Sequence, residues 1–298
     1  MKTVSYLLLA GFFRLVSWVP LRVLRAIGGI LGTILWALNG RARQISEENI
    51  QACFPQMDEK QQSNLVKRSM QNLGMTALEM GYVWRRSPQT TLSRITRVLG
   101  EEHLTEAVSG GRGVIVLAPH LGNWEFIGPY LGLHYQATLM YQPPKNPALD
   151  KIIFESRENT GAKLVPTNTS GVKAQWRALK KGGVVGVLPD QVPPVESGAY
   201  APFFGVPALT PTMTFNLLSR TGAMAVMAYA KRIEGTGDFV MMIEPAPEGI
   251  YSPDVQVSLS AMNAGIERCV MAAPEQYQWE YKRFKRQQDG NKKFYQKN

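Results

Sequence analysis

The sequence predicts an α/β fold: a mainly parallel central sheet flanked by helices, with a helical N-terminal part and an N-terminal membrane-associated helical segment. Three observations carry this expectation. From Gly113 onward, short β-rich runs alternate with helical stretches, as in layered proteins built on parallel strands. Ahead of Pro88, polar and apolar residues mix at helical spacing. Two apolar runs open the chain, Val4–Phe13 and Ala26–Leu38, each shorter than the roughly 20 residues a spanning helix needs.

Arg14, Pro20, Arg22 and Arg25 lie at or between the ends of these runs. In one continuous helix the three arginines would fall within about 80° of each other, but Pro20 interrupts such a helix. Residues 1–40 are therefore expected to form one or two helices lying in, or dipping into, a membrane interface. The arginines would face anionic head groups, with Trp18 and Trp36 at the boundary. The competing arrangement is a hairpin buried on the protein itself. No small-residue cleavage site follows the first run, so a secretory signal is not expected.

The remainder, 41–298, reads as a single domain. Residues 41–100 are expected to be helical, most clearly Asn64–Trp84, with breaks at Pro55 and Pro88. Across 101–272 the β-rich runs are Val114–Ala118, Ala137–Tyr141, Lys163–Pro166, Val184–Leu188, Ala223–Ala230 and Phe239–Ile243. Between them Asn123–Leu133, Pro147–Thr160, Val172–Lys180 and Thr212–Arg220 read as helices. Val255–Met271 reads as a closing helix, and 273–298 as a basic tail.

With 45% hydrophobic and 19% charged residues, the chain is too apolar to be intrinsically disordered. Cys53 and Cys269 alone support no disulfide framework, and three histidines make no recognisable zinc pattern. The net charge of +10 points to an anionic partner. Its distribution narrows the choice. Residues 1–45 carry six basic groups and no acid, residues 279–298 carry seven against two, and the stretch between is close to neutral. A nucleic-acid partner would call for a basic stripe with interleaved aromatics on a folded face, and no such motif is present. Anionic membrane lipids or an acidic protein fit two basic ends better.

The most informative segment is Val114-Ile-Val-Leu-Ala-Pro-His120-Leu-Gly-Asn-Trp-Glu125. A buried strand delivers His120 to its C-terminal end, where open α/β sheets place their sites. Gly122 and Asn123 then turn the chain into a helix whose first turn holds Glu125. In an unbroken helix His120 and Glu125 would diverge by about 140°. With a turn between them, the carboxylate can reach back to one ring nitrogen. The other nitrogen is then a general base for a hydroxyl, an effect worth about 10²–10⁴ in rate. Backbone N–H groups around Gly122 and Asn123, at a helix start, could hold a developing oxyanion.

The His-x-x-x-x-Glu pattern after such a strand resembles the acyltransferase motif shared by glycerolipid acyltransferases and lipid A late acyltransferases. Five further segments follow the second branch in order. They are Asn49-Ile-Gln-Ala-Cys-Phe-Pro55, Tyr141-Gln-Pro-Pro-Lys-Asn-Pro147, Leu188-Pro-Asp-Gln191, Pro202-Phe-Phe-Gly-Val-Pro-Ala208, and Ala273-Pro-Glu-Gln-Tyr-Gln-Trp279 followed by Lys282-Arg-Phe-Lys285. The chain thus resembles the late acyltransferase family over most of its length. The glycerolipid branch generally has Asp in the first motif and a later Pro-Glu-Gly-Thr segment, neither of which is present.

That resemblance implies transfer of a fatty acyl chain, commonly laurate or myristate, from acyl carrier protein to a hydroxyl on a Kdo-bearing lipid A precursor. The setting would be the cytoplasmic face of a bacterial inner membrane. It implies His120 as general base and Glu125 as its orienting carboxylate, with no metal and no cofactor. Where the family usually reads Tyr-Arg-Pro, this chain has Tyr141-Gln142-Pro143, so no arginine can be assigned there. Arg157 aligns with a downstream family arginine and is the expected bidentate phosphate ligand. Asp190 matches the Pro-Asp motif and would position Arg157 or a substrate group, or only shape a turn.

Other features have plainer expectations. His103 and His134 lack partners at useful spacing. Met213, Met224, Met227, Met241 and Met242 either line an acyl pocket or pack in the core. Lys282-Arg-Phe-Lys-Arg286 either meets lipid phosphates, membrane or carrier protein, or is solvated. Both cysteines read as buried apolar residues. Competing functions are acylation of another membrane lipid alcohol, a metal-dependent hydrolase using His120 and Glu125, and a catalytically silent membrane-bound binding protein.

Overall fold

The computed structural model describes residues 2–288, 290, 294 and 295, with side chains from Tyr6 onward. Its first two helices are α1 (Lys2–Trp18) and α2 (Leu21–Ala37). Pro20 lacks the N–H that would continue the helical ladder, and the axes meet at 115°. No single helix among the described residues is long and apolar enough to cross a membrane; the bent pair together has the length and composition of a broken span. Two helices follow, α3 (Arg41–Cys53) and α4 (Glu59–Arg85). The expected break at Pro55 lies between them, and Asp58 caps α4 through a reciprocal box with Gln61. Pro88 opens the short α5 (Pro88–Leu92), as its fixed φ favours.

The N-terminal pair is packed along one side and bare along the other. Leu21, Leu24, Gly28 and Gly32 of α2 are buried. A Cβ on Gly74 of α4 would stand 2.1 Å from the Gly28 carbonyl oxygen, so the crossing depends on glycine. The outer face presents Leu8, Leu15, Trp18, Ile30, Ile34 and Leu38 as exposed side chains. Arg14 and Arg22 are exposed as expected, but Arg25 is not turned toward head groups. It is buried, its Nε 2.7 Å from Oε1 of Glu79 on α4. The correction has a simple cause: Glu79 is fully buried, and an unpaired carboxylate there would be strongly destabilising.

After α5 the chain runs β1 (Ile95–Leu99), α6 (Glu101–Ser109), β2 (Val114–Leu117), α7 (Ile127–Tyr135), β3 (Thr138–Tyr141), α8 (Pro147–Glu158), β4 (Lys163–Pro166), α9 (Thr169–Lys180) and β5 (Val184–Val187). It continues with β6 (Gly198–Phe203), β7 (Val206–Pro211), α10 (Met213–Thr221), β8 (Met224–Arg232), β9 (Phe239–Pro245) and α11 (Val255–Ala272). Seven strands form one sheet in the order β1-β9-β8-β2-β5-β3-β4. The five from β8 to β4 are mutually parallel; β9 runs antiparallel to β8 and takes β1 with it. The mainly parallel sheet is therefore observed. β2 and β5, central and adjacent, are buried at every position, as strands covered on both faces must be.

Two strand assignments differ from expectation. β1 lies inside the stretch expected to be helical, and β6 and β7 pair as a separate antiparallel hairpin. Phe204 and Gly205 turn that hairpin with φ of +49° and +76°, the geometry of a tight two-residue loop. The segment expected as a basic tail, 273–298, is in part built into the core. Tyr277, Trp279, Arg283 and Phe284 are buried in the core, and the Arg283 Nη1 donates to the Leu209 carbonyl at 2.7 Å. The aromatic residues spaced along this segment outweigh its charge. Lys285 and Arg286 are exposed, whereas Lys292, Lys293 and Lys297 lie outside the described residues.

Candidate active site

Three segments meet beyond the C-terminal end of β2: the loop 118–123, the loop 188–191 after β5, and residues 276–281. The first is tied down by backbone bonds. The Gly122 N–H donates to Gln276 O and the Asn123 N–H to Ala230 O, each at 3.0 Å, while the Gln278 N–H donates to His120 O at 3.1 Å. Gly122 sits at φ +62°, with its α-carbon so near β8 that a Cβ would lie 2.0 Å from Ala230 O. Glycine is required here on both counts. Asn49 of α3 anchors the third segment, its Nδ2 donating to Trp279 O at 2.6 Å and to Tyr281 O at 2.9 Å.

These bonds overturn one expectation. The amides of Gly122 and Asn123 already have backbone acceptors, so they are not open to an oxyanion. Asn123 acts otherwise. Its Oδ1 accepts from the Glu125 N–H at 3.2 Å and its Nδ2 donates to Glu79 at 3.0 Å. The site loop thereby joins a buried charge cluster in which Glu79 also receives Arg25 and Arg232. Burial alone would raise the Glu79 carboxyl, but the two guanidiniums outweigh burial and hold it below the ordinary carboxylate range.

His120 stands at the end of β2 as expected, but its carboxylate is Asp190. The Asp190 Oδ1 is 2.8 Å from His120 Nδ1, and its Oδ2 accepts from the His120 backbone N–H, also at 2.8 Å. Burial would raise the Asp190 carboxyl; the charge and hydrogen bonds of His120 outweigh it and hold the carboxyl low. Tyr277, buried alongside, has its hydroxyl pushed up by burial and by the Asp190 charge. Glu280, also close to His120, is held above the usual carboxylate range by burial. At the far side of the ring, Gln191 Nε2 lies 3.1 Å from His120 Nε2 and 3.5 Å from Gln278 Oε1.

Glu125 does not orient His120. Its Oε1 accepts from Arg157 Nη2 at 2.7 Å and its Oε2 from the Trp84 indole at 3.0 Å. Asn123 caps the short helical turn Trp124–Phe126, and this turn leads Glu125 away from the ring toward α8. Arg157 is correspondingly not an unengaged phosphate ligand, and Asp190 does not touch it in any described contact. The guanidinium lies over the Tyr141 ring, 5.2 Å from its centroid.

A cavity of about 540 Å³ joins the two centres, a size typical of small-molecule sites. His120, Gln191, Glu125 and Arg157 supply its polar wall, and Ile127, Leu139, Met140, Val187, Leu188 and Met213 its apolar wall. Of the five methionines considered, only Met213 lines it; Met227 and Met241 are core, Met224 borders a second cavity with His103, and Met242 packs half-buried against the core. His134 is exposed. Both cysteines are buried, which raises the Cys53 thiol and pushes Cys269 up to about 12. Among the described residues, no group of three His, Cys, Asp or Glu side chains is placed to hold a metal ion. Sequence reasoning missed Gln191 as a contact of the imidazole, although it stood beside Asp190 in a segment already singled out.

Residues 1–286 match the family described as bacterial lipid A biosynthesis acyltransferase. The chain is 30% identical over 285 residues to the lipid A biosynthesis lauroyltransferase of Escherichia coli (strain K12), covering 94% of this chain and 91% of that protein. It is 29% identical over 282 residues to the palmitoleoyltransferase of the same strain, with 93% and 90% covered. The myristoyltransferase of that strain is 24% identical over 263 residues, with 87% and 80% covered.

Proposed function

Because the chain belongs to the bacterial lipid A biosynthesis acyltransferase family, we propose that it moves a fatty acyl chain, laurate or myristate, from acyl carrier protein to a hydroxyl of a Kdo-bearing lipid A precursor. The observation that carries the reading is His120, with Nδ1 bonded to Asp190 and its side chain in the cavity wall. An Asp190 carboxylate accepts the Nδ1–H, so the lone pair resides on Nε2. As Nε2 takes the acceptor hydroxyl's proton, Asp190 stabilises the imidazolium that forms, the arrangement of Asp–His pairs in acyl transfer.

Glu125 has a different part in this mechanism. It fixes Arg157 at the cavity wall, where the guanidinium binds an acceptor phosphate. The apolar wall receives the acyl chain. α1 packs beside α8, which carries Arg157: the Tyr6 hydroxyl reaches Glu155 at 3.1 Å. The helix pair that bears the bare apolar face thus packs beside the helix that carries Arg157, and we place that face against anionic lipid at the cytoplasmic face of the inner membrane.

Mass spectrometry of lipid A from a late-acylation-deficient strain tests the reading. Wild type restores one secondary acyl chain and His120→Ala restores none. Full restoration by His120→Ala would sink the catalytic reading, and no restoration by wild type the function itself. Activity undiminished after dialysis against a chelator is the further expectation, since the base is an imidazole; its loss would favour metal chemistry.

A further inference from the structure

We propose that Gln191 is a catalytic residue: its side-chain amide occupies the acceptor hydroxyl's position on His120 in the resting enzyme, then donates to the oxyanion once the hydroxyl displaces it. The inference rests on the acyl-transfer reading above. Consecutive residues of one loop bracket the imidazole, Asp190 at Nδ1 and Gln191 at Nε2. An amide nitrogen only donates, so this contact leaves the Nε2 lone pair as its acceptor. Gln278 Oε1, 3.5 Å from the same nitrogen, is a second acceptor that favours the same orientation of the amide.

The argument from geometry is short. A hydroxyl that gives its proton to Nε2 must sit within hydrogen-bond distance of it, and Gln191 Nε2 fills such a position now, at 3.1 Å. The carbonyl carbon under attack lies one forming bond beyond that hydroxyl oxygen, and the oxyanion one bond beyond the carbon. A displaced amide needs to move only a short way to meet it. Its backbone is held while it does so, because the preceding side chain is bonded to His120 and the following N–H donates to the Tyr281 hydroxyl at 2.9 Å. Several other nearby donors are already engaged. The amides of His120, Leu121, Gly122 and Asn123 have acceptors, and the Trp84 indole and Arg157 Nη2 are on Glu125.

In the step itself, the acceptor oxygen bonds to the thioester carbon while its proton passes to His120 Nε2. The carbonyl π pair moves onto oxygen, to which Gln191 donates a hydrogen bond while keeping its proton. When the carbonyl re-forms, the carbon–sulfur bond breaks and the departing thiolate takes the proton from Nε2. Nothing is oxidised or reduced.

Steady-state kinetics with acyl carrier protein thioester and lipid acceptor test this in the full chain. Gln191→Ala is expected to lower kcat by about 10²–10³-fold, the usual effect of losing one oxyanion donor, with KM for both substrates little changed. Gln191→Met, similar in length and without a donor, is expected to do the same and serves should the alanine variant fold poorly. A ¹⁵N spectrum of His120 in either variant should keep its Nδ1–H, because Asp190 remains. If either folded variant matches or exceeds wild-type kcat, the amide merely blocks the base and the proposal is overturned. A wild type that transfers no acyl chain overturns the acyl-transfer reading beneath it, and is recognised as such because no variant is needed to see it.

Discussion

His120 and Asp190 are seventy positions apart, and that spacing is already set within the sheet. β2 and β5 pair in parallel with Val114 opposite Val184 and Leu117 opposite Val187; continuing the same register three residues beyond the strands brings His120 to Asp190. The sequence places both motifs at the ends of buried strands but does not say which strands are neighbours, so sequence proximity favours Glu125 over Asp190. Asp190→Asn should lower kcat by about 10²–10⁴-fold with the fold intact. Because the native carboxyl is held below its unfolded value, its contribution to stability is present above about pH 4 and lost as pH falls through the native value. The urea midpoint of Asp190→Asn should accordingly fall less than that of wild type on acidification from about pH 5 to pH 3. At the other centre, Arg157→Ala should weaken acceptor binding by about 1.5–3 kcal/mol, a KM rise of roughly 10–100-fold. Glu125→Gln should act in the same direction, and the double variant should fall short of additivity. A Glu125→Gln loss confined to kcat would return that carboxylate to the imidazole.

Helices and strands were legible in proportion to how well local pattern matched final burial. The apolar runs of β2 and β5 are legible to within a residue, since strands covered on both faces are apolar throughout. β1 is not, because an edge strand with no buried position and no period-two burial resembles the helical surface before it. The β6–β7 hairpin contains Pro202, Pro207 and Pro211, residues that argue against a central strand and are tolerated in a ribbon with open edges. Gly28 and Gly32 lie four apart on one face of α2, but nothing local to that helix shows that Gly74 of α4 is what meets them. Gly74→Leu should destabilise the fold by more than the ~1–3 kcal/mol typical of overpacking, because backbone rather than a flexible side chain stands in the way. Glu79→Ala, which strands two buried guanidiniums, should cost about 3–5 kcal/mol. Both are measured by urea denaturation, and a change within error in either would contradict the packing described.

For the molecule as a whole, the basic ends divide into structural and surface charges. Arg25 and Arg283 are buried, the first paired with Glu79 and the second hydrogen-bonded to Leu209 O and the Thr210 hydroxyl, while Arg14, Arg22, Lys285 and Arg286 remain outside. Deleting residues 1–38 would therefore remove Arg25 and the α2–α4 crossing along with any anchor, confounding attachment with folding. Polar substitution on the bare face separates them. Leu8→Ser, Leu15→Ser, Ile30→Ser and Ile34→Ser combined should shift the protein from the membrane pellet to the supernatant with little change in urea midpoint. Unchanged sedimentation would count against attachment through this face.

The strapping of loop 118–123 by residues 276–281 also has a consequence for the order of synthesis. Chains emerge N-terminus first, so α1 and α2 are available to bind lipid while the last segment is still unmade. His120 O, Gly122 N–H and the Asn49 amide gain their partners only when Gln276, Gln278, Trp279 and Tyr281 arrive. On the attachment proposed above, a nascent chain would bind lipid before it is competent, and a chain truncated ahead of Gln276 is expected to sediment with membranes while showing no transferase activity.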